Sequence, residues 1–141
     1  MTKWNPTQYE RFIKDRTQPA IDLANRLETL NPDNILDLGC GPGNSTKVLK
    51  DKYPNSHIIG ADNSEDMLKK AMELYPYIEF IKLDANGNLN EISDKFDIVF
   101  SNACIQWLPN HRELLPKLMT LLKPNGILAI QIPIQREHPV H

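Results

Sequence analysis

The sequence has few of the features that mark secreted, membrane-bound or nucleic-acid-binding proteins. Its 141 residues contain two cysteines, Cys40 and Cys104, which are too few for a disulfide scaffold and not spaced as metal ligands. No apolar run approaches the roughly 20 residues of a membrane span. A formal net charge of −2 provides no basic surface for nucleic acid. We therefore expect a cytoplasmic protein with reduced thiols and a small-molecule partner, without membrane or nucleic-acid contacts.

Motifs for metal-dependent and nucleophilic catalysis are also missing. The four histidines form no His-x-x-x-His pair, and no Ser-His-Asp order is evident. No Gly-Lys-Ser or Gly-Lys-Thr sequence is present, which excludes a P-loop. The sequence therefore predicts neither a metal site nor a catalytic base.

The most informative segment begins at residue 35, where an apolar run containing Asp37 leads into a glycine-rich loop. The run reads Ile-Leu-Asp-Leu, which is typical of a buried parallel strand. Gly39, Gly41 and Gly43 follow at alternate positions and let the backbone turn sharply and approach a ligand. Residues 44–46 read Asn-Ser-Thr and are predicted to cap the helix that follows. This order of strand, loop and helix opens a nucleotide-type α/β fold.

The spacing of the glycines indicates which nucleotide the loop would hold. The dinucleotide fingerprint is G-x-G-x-x-G, with pyrophosphate on the helix N-terminus. Here the third glycine comes one residue earlier, and Pro42 lies inside the loop. A preceding acid with G-x-G-x-G resembles motif I of the class I S-adenosylmethionine-dependent methyltransferases, whose cofactor has no phosphate. A Rossmann oxidoreductase is the disfavoured alternative.

Four further apolar runs follow, and the first three end in polar residues, as expected of strands whose carboxyl ends form a ligand-binding edge. They cover residues 57–62, 78–84, 96–102 and 126–132. Asp62 closes the second strand 23 positions after Gly39, close to the offset of roughly 20 residues for a ribose-binding carboxylate. We predict a doubly wound parallel sheet with strand order 3-2-1-4-5 and a site between strands 1 and 4.

Helical segments alternate with these strands. Helices are predicted over residues 5–16 and from Pro19 to about Leu30. A third helix is capped by Ser64 and buries a face formed by Met67, Leu68, Ala71 and Met72. Another helix over residues 114–122 ends at the turn sequence 123–126, which reads Lys-Pro-Asn-Gly. We expect one domain over residues 1–141, with N-terminal helices in 1–30 and the α/β core in 31–141.

Several longer motifs resemble the bacterial trans-aconitate methyltransferases, and the resemblance extends across nearly the whole chain. Its carriers are Trp-Asn-Pro-x-x-Tyr at 4–9, Phe-x-x-x-Arg-x-x-Pro-Ala at 12–20, Asp-Leu-Gly-Cys-Gly-Pro-Gly-Asn-Ser-Thr at 37–46, Phe-Ser-Asn-Ala at 100–103, Gln-Trp-Leu-Pro-x-His at 106–111, Leu-Leu-Pro at 114–116 and Gln-Ile-Pro at 131–133. The first motif together with that at 106–111 is the most specific. The chain is more distantly similar to malonyl-carrier-protein methyltransferases of biotin synthesis, which also esterify a carboxylate.

The resemblance implies a set of cofactor contacts for S-adenosylmethionine and its product S-adenosylhomocysteine. The glycines approach the cofactor, Asp62 binds the ribose hydroxyls, Asp84 reaches the adenine edge and Asn102 closes the methionine side. The full implied set is Arg16, Asp37, Gly39, Cys40, Gly41, Gly43, Asn44, Asp62, Asn63, Met67, Asp84, Ala85, Asn102 and Ala103. Met67 has an alternative interpretation as a core residue of its helix.

The resemblance also implies O-methylation of a small polycarboxylic acid such as trans-aconitate. Arg16 would hold a carboxylate of the cofactor or the acceptor in a two-pronged hydrogen bond. Tyr9 and Phe12 would close over the site or pack their helix against the domain, and Gln106 and Trp107 would line the acceptor pocket. The alternatives are a methyltransferase for another carboxylic acid and a cofactor-binding module without activity.

The family sheet has seven strands and is followed by a substrate-enclosing segment, whereas this chain reaches only the fifth strand. The fifth strand would then present an unpaired edge, and we expect it to favour a homodimer.

Overall fold

The computed structural model describes residues 6–29, 31–84, 89, 92–102 and 111–131; within these, the side chains of residues 6, 9–16 and 111–113 are not described. The helices are α1 (Pro6–Asn25), α2 (Asn44–Lys52), α3 (Glu65–Leu74) and α4 (His111–Met119). The strands are β1 (Asn34–Leu38), β2 (His57–Asp62), β3 (Glu79–Lys82), β4 (Phe96–Asn102) and β5 (Leu122–Gln131). Within the described residues, no helix is both long enough and apolar enough to cross a membrane.

The five strands form one parallel sheet in the order β3-β2-β1-β4-β5, which confirms the predicted topology. The strands β1, β2 and β4 are almost entirely buried, as their apolar sequences predict. Because all pairings are parallel, the carboxyl ends of the strands meet at one edge of the sheet. The chain order reverses between β1 and β4, which is where α/β sheets of this kind bind their ligands.

Two hydrophobic clusters cover opposite faces of the sheet, because successive strand residues point to opposite sides. On one face, Leu23 of α1 and Leu49 of α2 pack with Phe100. On the other face, Leu114 and Leu118 of α4 are among the residues packed around Leu36, Leu38 and Val99; α3 packs separately on β3. The core is thus built around β1 and β4, the two strands that flank the predicted site.

The N-terminal region differs from the prediction. A single 20-residue helix, α1, replaces the two expected helices, and Pro19 lies inside it. Proline removes one hydrogen bond from a helix but does not always end it. Here Ala20 and Ala24 are almost fully buried, so tertiary packing holds the helix together beyond the proline.

The turn predicted at 123–126 lies inside β5 and not before it. Phe96 pairs with Leu122, but Ile98 pairs with Ile127, so residues 123–126 of β5 lie opposite the single residue Asp97 of β4. Asn125 has a positive φ of 68° within this bulge. These residues do form a turn, but β5 is paired with β4 both before and after it.

The predicted buried face of α3 is confirmed only in part. Ser64 caps the helix by accepting a hydrogen bond from the Met67 N–H. Leu68 and Ala71 are buried, but Met72 is 48% exposed. The buried face of α3 is therefore narrower than predicted: it contains Leu68 and Ala71 but not Met72.

Candidate functional site

The glycine loop lies at the carboxyl end of β1 and is shaped by three left-handed backbone conformations. Gly39, Gly41 and Gly43 have φ values of 76°, 57° and 96°. The N–H groups of Gly39 and Cys40 both donate to the Ala61 carbonyl, at 2.7 and 2.9 Å. These two bonds fasten the start of the loop to β2, and the positive φ values explain why glycine occupies all three positions.

Asp62 connects the loop to the start of α3. Its Oδ2 accepts a hydrogen bond from the Gly41 N–H at 2.8 Å, and its Oδ1 accepts one from the Ser64 N–H at 2.8 Å. A carboxylate offers about four acceptor positions, so lone pairs remain for ligand hydroxyls. The side chain is only partly buried. Asp62 is therefore oriented by the backbone and retains the capacity to accept bonds from ribose.

Asp37 has an internal role that the sequence did not reveal. The carboxylate is completely buried, and its Oδ2 accepts hydrogen bonds from Ser45 Oγ and Thr46 Oγ1, each at 2.7 Å. Ser45 and Thr46 had been predicted as helix caps. Instead, Gly43 occupies the N-cap position of α2 without a side-chain capping bond. The hydroxyls thus join the first turn of α2 to β1 beneath the loop.

Asn44 joins the loop to α1. It is the first residue of α2, is 7% exposed, and donates from Nδ2 to Thr17 Oγ1 at 2.8 Å. A buried amide normally has such a partner. The sequence suggests Asn44 as a helix cap and as a cofactor contact, and it contains no signal for Thr17.

The thiol of Cys40 lies buried in the same loop, and its Sγ contacts the Gly41 carbonyl oxygen at 3.5 Å. Burial raises the pKa of this thiol far above its usual range, and the nearby carboxylates of Asp37 and Asp62 raise it further. Because the thiolate is the nucleophilic form, Cys40 is inert at neutral pH. It is a free cysteine, and Cys104 lies outside the described residues, so the expectation of two reduced thiols stays a prediction.

The other predicted site residues fall into three groups. Asn102 is buried at the end of β4, and Asp84 is half-buried two residues beyond β3. Asn63 is exposed and Met67 is half-buried beside Asp62 and the α3 N-terminus. Predictions for Ala85, Ala103, Gln106 and Trp107 lie outside the described residues, and for Tyr9, Phe12 and Arg16 only the backbone, within α1, is described.

The carboxylates around the loop fit a sulfonium cofactor better than a dinucleotide. Carboxylates stand at or just beyond the carboxyl ends of β2 and β3, and a third is buried beneath the loop. Such groups favour a cation and hydrogen-bond donors, whereas they repel a pyrophosphate. The side chain of Lys47, the closest lysine to the loop in sequence, is paired with Asp51.

Residues 35–126 match a family described as a methyltransferase domain; the match covers the glycine loop and runs from the start of β1 into the first half of β5. The chain belongs to this family of methyltransferase domains. The match removes the oxidoreductase alternative.

Curated relatives named trans-aconitate 2-methyltransferase match along the entire chain. Those of Variovorax paradoxus and Escherichia coli O157:H7 are each 41% identical over 141 residues. These residues make up 54% and 55% of the two relatives. The predicted family resemblance is confirmed, and the chain spans about half the length of the curated relatives it matches.

Solved structures share the fold. Streptomyces venezuelae DesVI is 21% identical, with a TM-score of 0.77 over 99% of this chain and 62% of its own. The plantazolicin methyltransferase BpumL is 26% identical, with a TM-score of 0.65 over 89% of this chain and 48% of its own; it was solved with S-adenosylhomocysteine. The predicted fold class is confirmed, and the predicted cofactor is that of the family.

Proposed function

We propose that this chain binds S-adenosylmethionine and serves an enzyme that transfers the methyl group to a carboxylate of trans-aconitate. The observation that carries the proposal is the 41% identity, over all 141 residues, to relatives with that name. The glycine loop and the acidic strand ends described above support the cofactor. The expected cytoplasmic location stays a prediction.

In the proposed complex, Asp62 accepts hydrogen bonds from the ribose hydroxyls while its backbone bonds to Gly41 and Ser64 hold it in place. Gly39 and Gly41 bring the loop backbone close to the cofactor. Asp37 acts from beneath by fixing α2, to which the loop is joined. The remaining predicted contacts keep the roles that the resemblance implies.

The proposed reaction depends on positioning and needs no strong base. A carboxylate acceptor is ionised at neutral pH, and the sulfonium supplies an activated methyl group. Holding two reactants in line at about 3–3.5 Å accounts for much of the rate enhancement of such reactions. His57, the one histidine whose side chain is described, lies at the amino end of β2, opposite the site, and contacts Glu79.

We assign acceptor binding to α1 together with the segment after β4. Arg16 precedes Thr17, whose hydroxyl contacts Asn44 at the end of the glycine loop. This contact supports a location of Arg16 near the cofactor site, where a guanidinium would hold a carboxylate. Phe12 and Tyr9 lie about one and two turns earlier on the same helix.

We also propose that two copies of the chain pair through β5. This strand is hydrogen-bonded to β4 along one edge, and no described strand pairs with its other edge. Ile127 in this strand is 38% exposed, although residues of parallel strands are normally covered on both faces.

The cofactor assignment is tested by calorimetric titration of the full chain with S-adenosylhomocysteine. Asp62→Asn removes the charge and keeps the shape, and the loss of hydrogen bonds to a charged group should weaken binding about 10–100-fold. Asp51→Asn, which neutralises an exposed carboxylate on α2, is the matched control and should bind like the parent. Equal affinity in the parent and the Asp62 variant would contradict the role of Asp62, and tighter binding of NAD would contradict the cofactor.

The acceptor is tested separately by transfer of a labelled methyl group from S-adenosylmethionine. Trans-aconitate should be methylated, and a malonyl thioester on a carrier protein should not. The reverse preference would replace trans-aconitate with the alternative acceptor. Cofactor binding without any methylation would mean that this chain is a cofactor-binding module without activity of its own.

A further inference from the structure

The helix α1 is divided by Pro19 into two parts that are held differently. Beyond the proline, Ala20, Leu23 and Ala24 are buried in the core. Before it lie residues 6–18, which include the positions assigned to the acceptor. Pro19 has no N–H to donate to the carbonyl four residues earlier, so the helix has a weak point between the parts.

The two halves also differ in how they reach the glycine loop. In the first half, Thr17 Oγ1 accepts a hydrogen bond from Asn44 Nδ2, at the end of the loop, at 2.8 Å, two residues before the proline. The next residue, Gln18, bonds instead to Asp22 on its own helix and is exposed. A contact between the first half of α1 and the end of the loop therefore lies next to the weak point of the helix.

Asn44 is itself rigidly placed. It is 7% exposed and lies between Gly43, the N-cap of α2, and Ser45, whose hydroxyl donates to the buried Asp37. Movement of the loop would thus be passed to Thr17 through its hydrogen bond with Asn44.

We infer that Thr17 and Asn44 form a positioning pair that couples occupation of the cofactor site to the order of the first half of α1. Cofactor binding fixes the loop and Asn44, Asn44 holds Thr17, and the acceptor-binding part of the helix becomes ordered. The inference rests on the proposed function, since it assumes that the loop binds the cofactor and that α1 contacts the acceptor. It makes Thr17 a positioning residue for acceptor binding without any contact to either ligand.

The test is hydrogen–deuterium exchange of the full chain with and without S-adenosylhomocysteine. Thr17→Val removes the hydroxyl and keeps a β-branched side chain. Without ligand, loss of one hydrogen bond should speed exchange of amides 7–16 about 2–10-fold and leave amides 20–25 unchanged. With ligand, amides 7–16 should slow in the parent and stay fast in the variant, while the loop amides 39–44 slow in both.

Two variants serve as controls. Thr17→Ser keeps a hydroxyl and should restore the parent pattern, and Gln18→Ala removes the adjacent exposed bond to Asp22 and should not change it. Thermal melting of each variant establishes that it is folded, and Thr17→Ala, which also removes the hydroxyl, replaces Thr17→Val if that variant does not fold.

The outcomes separate this inference from the proposed function. Equal ligand-dependent slowing of amides 7–16 in the parent and in Thr17→Val would overturn the coupling while leaving cofactor binding intact. No slowing of amides 39–44 in the parent would overturn the cofactor assignment and the coupling with it.

Discussion

At the scale of single residues, Gly43 is required by the packing of the loop as well as by its backbone conformation. At Gly43 a Cβ atom would lie 2.9 Å from the Tyr75 ring and 3.2 Å from the Ala71 Cβ. Its φ of 96° is also unfavourable for any other residue. Gly43 therefore lets the loop pack on α3, a requirement that is independent of any ligand.

This packing predicts the effect of Gly43→Ala. The strained backbone and the contact with Tyr75 should together lower the free energy of unfolding by at least about 1–3 kcal/mol. The measurement is urea denaturation, with Asp51→Asn at an exposed position of α2 as the control. A change within about 0.5 kcal/mol, as is usual for surface substitutions, would show that the loop and α3 are not packed as described.

The sequence located these residues well but gave only some of their partners. Asp62 could be predicted because the ribose-binding carboxylate follows the glycine loop by roughly 20 residues and lies at the end of the next strand. The bond from Gly41 to Asp62 could not be found, since it depends on how the loop folds back over β2. For the same reason the hydroxyls of Ser45 and Thr46 were expected to cap α2, although in the fold they face Asp37.

At the scale of secondary-structure elements, a charged group fastens the amino ends of three strands. Asp97 of β4 accepts hydrogen bonds through Oδ2 from the N–H groups of Asp33 and Asn34, at 2.8 and 3.0 Å. The Lys123 ammonium of β5 lies 3.2 Å from the same oxygen. Burial alone would raise the pKa of this carboxyl, but the two backbone bonds and Lys123 outweigh it and hold the pKa below the usual 3.8.

We expect Asp97→Asn to lower the free energy of unfolding by about 1.5–3 kcal/mol at neutral pH, the range for hydrogen bonds to a charged group. A carboxyl with a depressed folded-state pKa stabilises the fold above its unfolded pKa. That contribution disappears as the pH falls through the lower, folded value. The difference between parent and variant should therefore be constant from pH 7 to 5 and shrink below pH 3.8.

Urea denaturation at several pH values measures this difference, with Asp51→Asn as the exposed control. A difference that persists undiminished at low pH would mean that the Asp97 side chain acts through its shape and not its charge.

Element boundaries were predictable where burial and local signals agreed. The bounds of β2 and β4 matched the apolar runs at 57–62 and 96–102, and Ser64 capped α3 as expected. The errors lie where tertiary contacts outweigh a local breaker. Pro19 was read as a helix start but lies within α1, and the turn at 123–126 became a bulge of β5 because pairing with β4 continues around it.

At the scale of the whole molecule, the proposed pairing of two copies through β5 predicts a symmetric dimer. A dimer with two-fold symmetry presents the same patch on both copies, so the two β5 edges would pair antiparallel. Such pairing would use the N–H and C=O groups along the outer edge and cover Ile127. Light scattering after size-exclusion chromatography should then give a mass that rises with concentration towards twice that of one chain.

Ile127→Lys should return the mass to that of one chain, because a lysine on an edge strand opposes pairing. Leu115→Lys is the matched control, since Leu115 is equally apolar and 39% exposed but lies on α4. If both variants lower the mass equally, association is a general effect of surface hydrophobicity. If the parent has the mass of one chain at every concentration, the β5 edge does not mediate self-association.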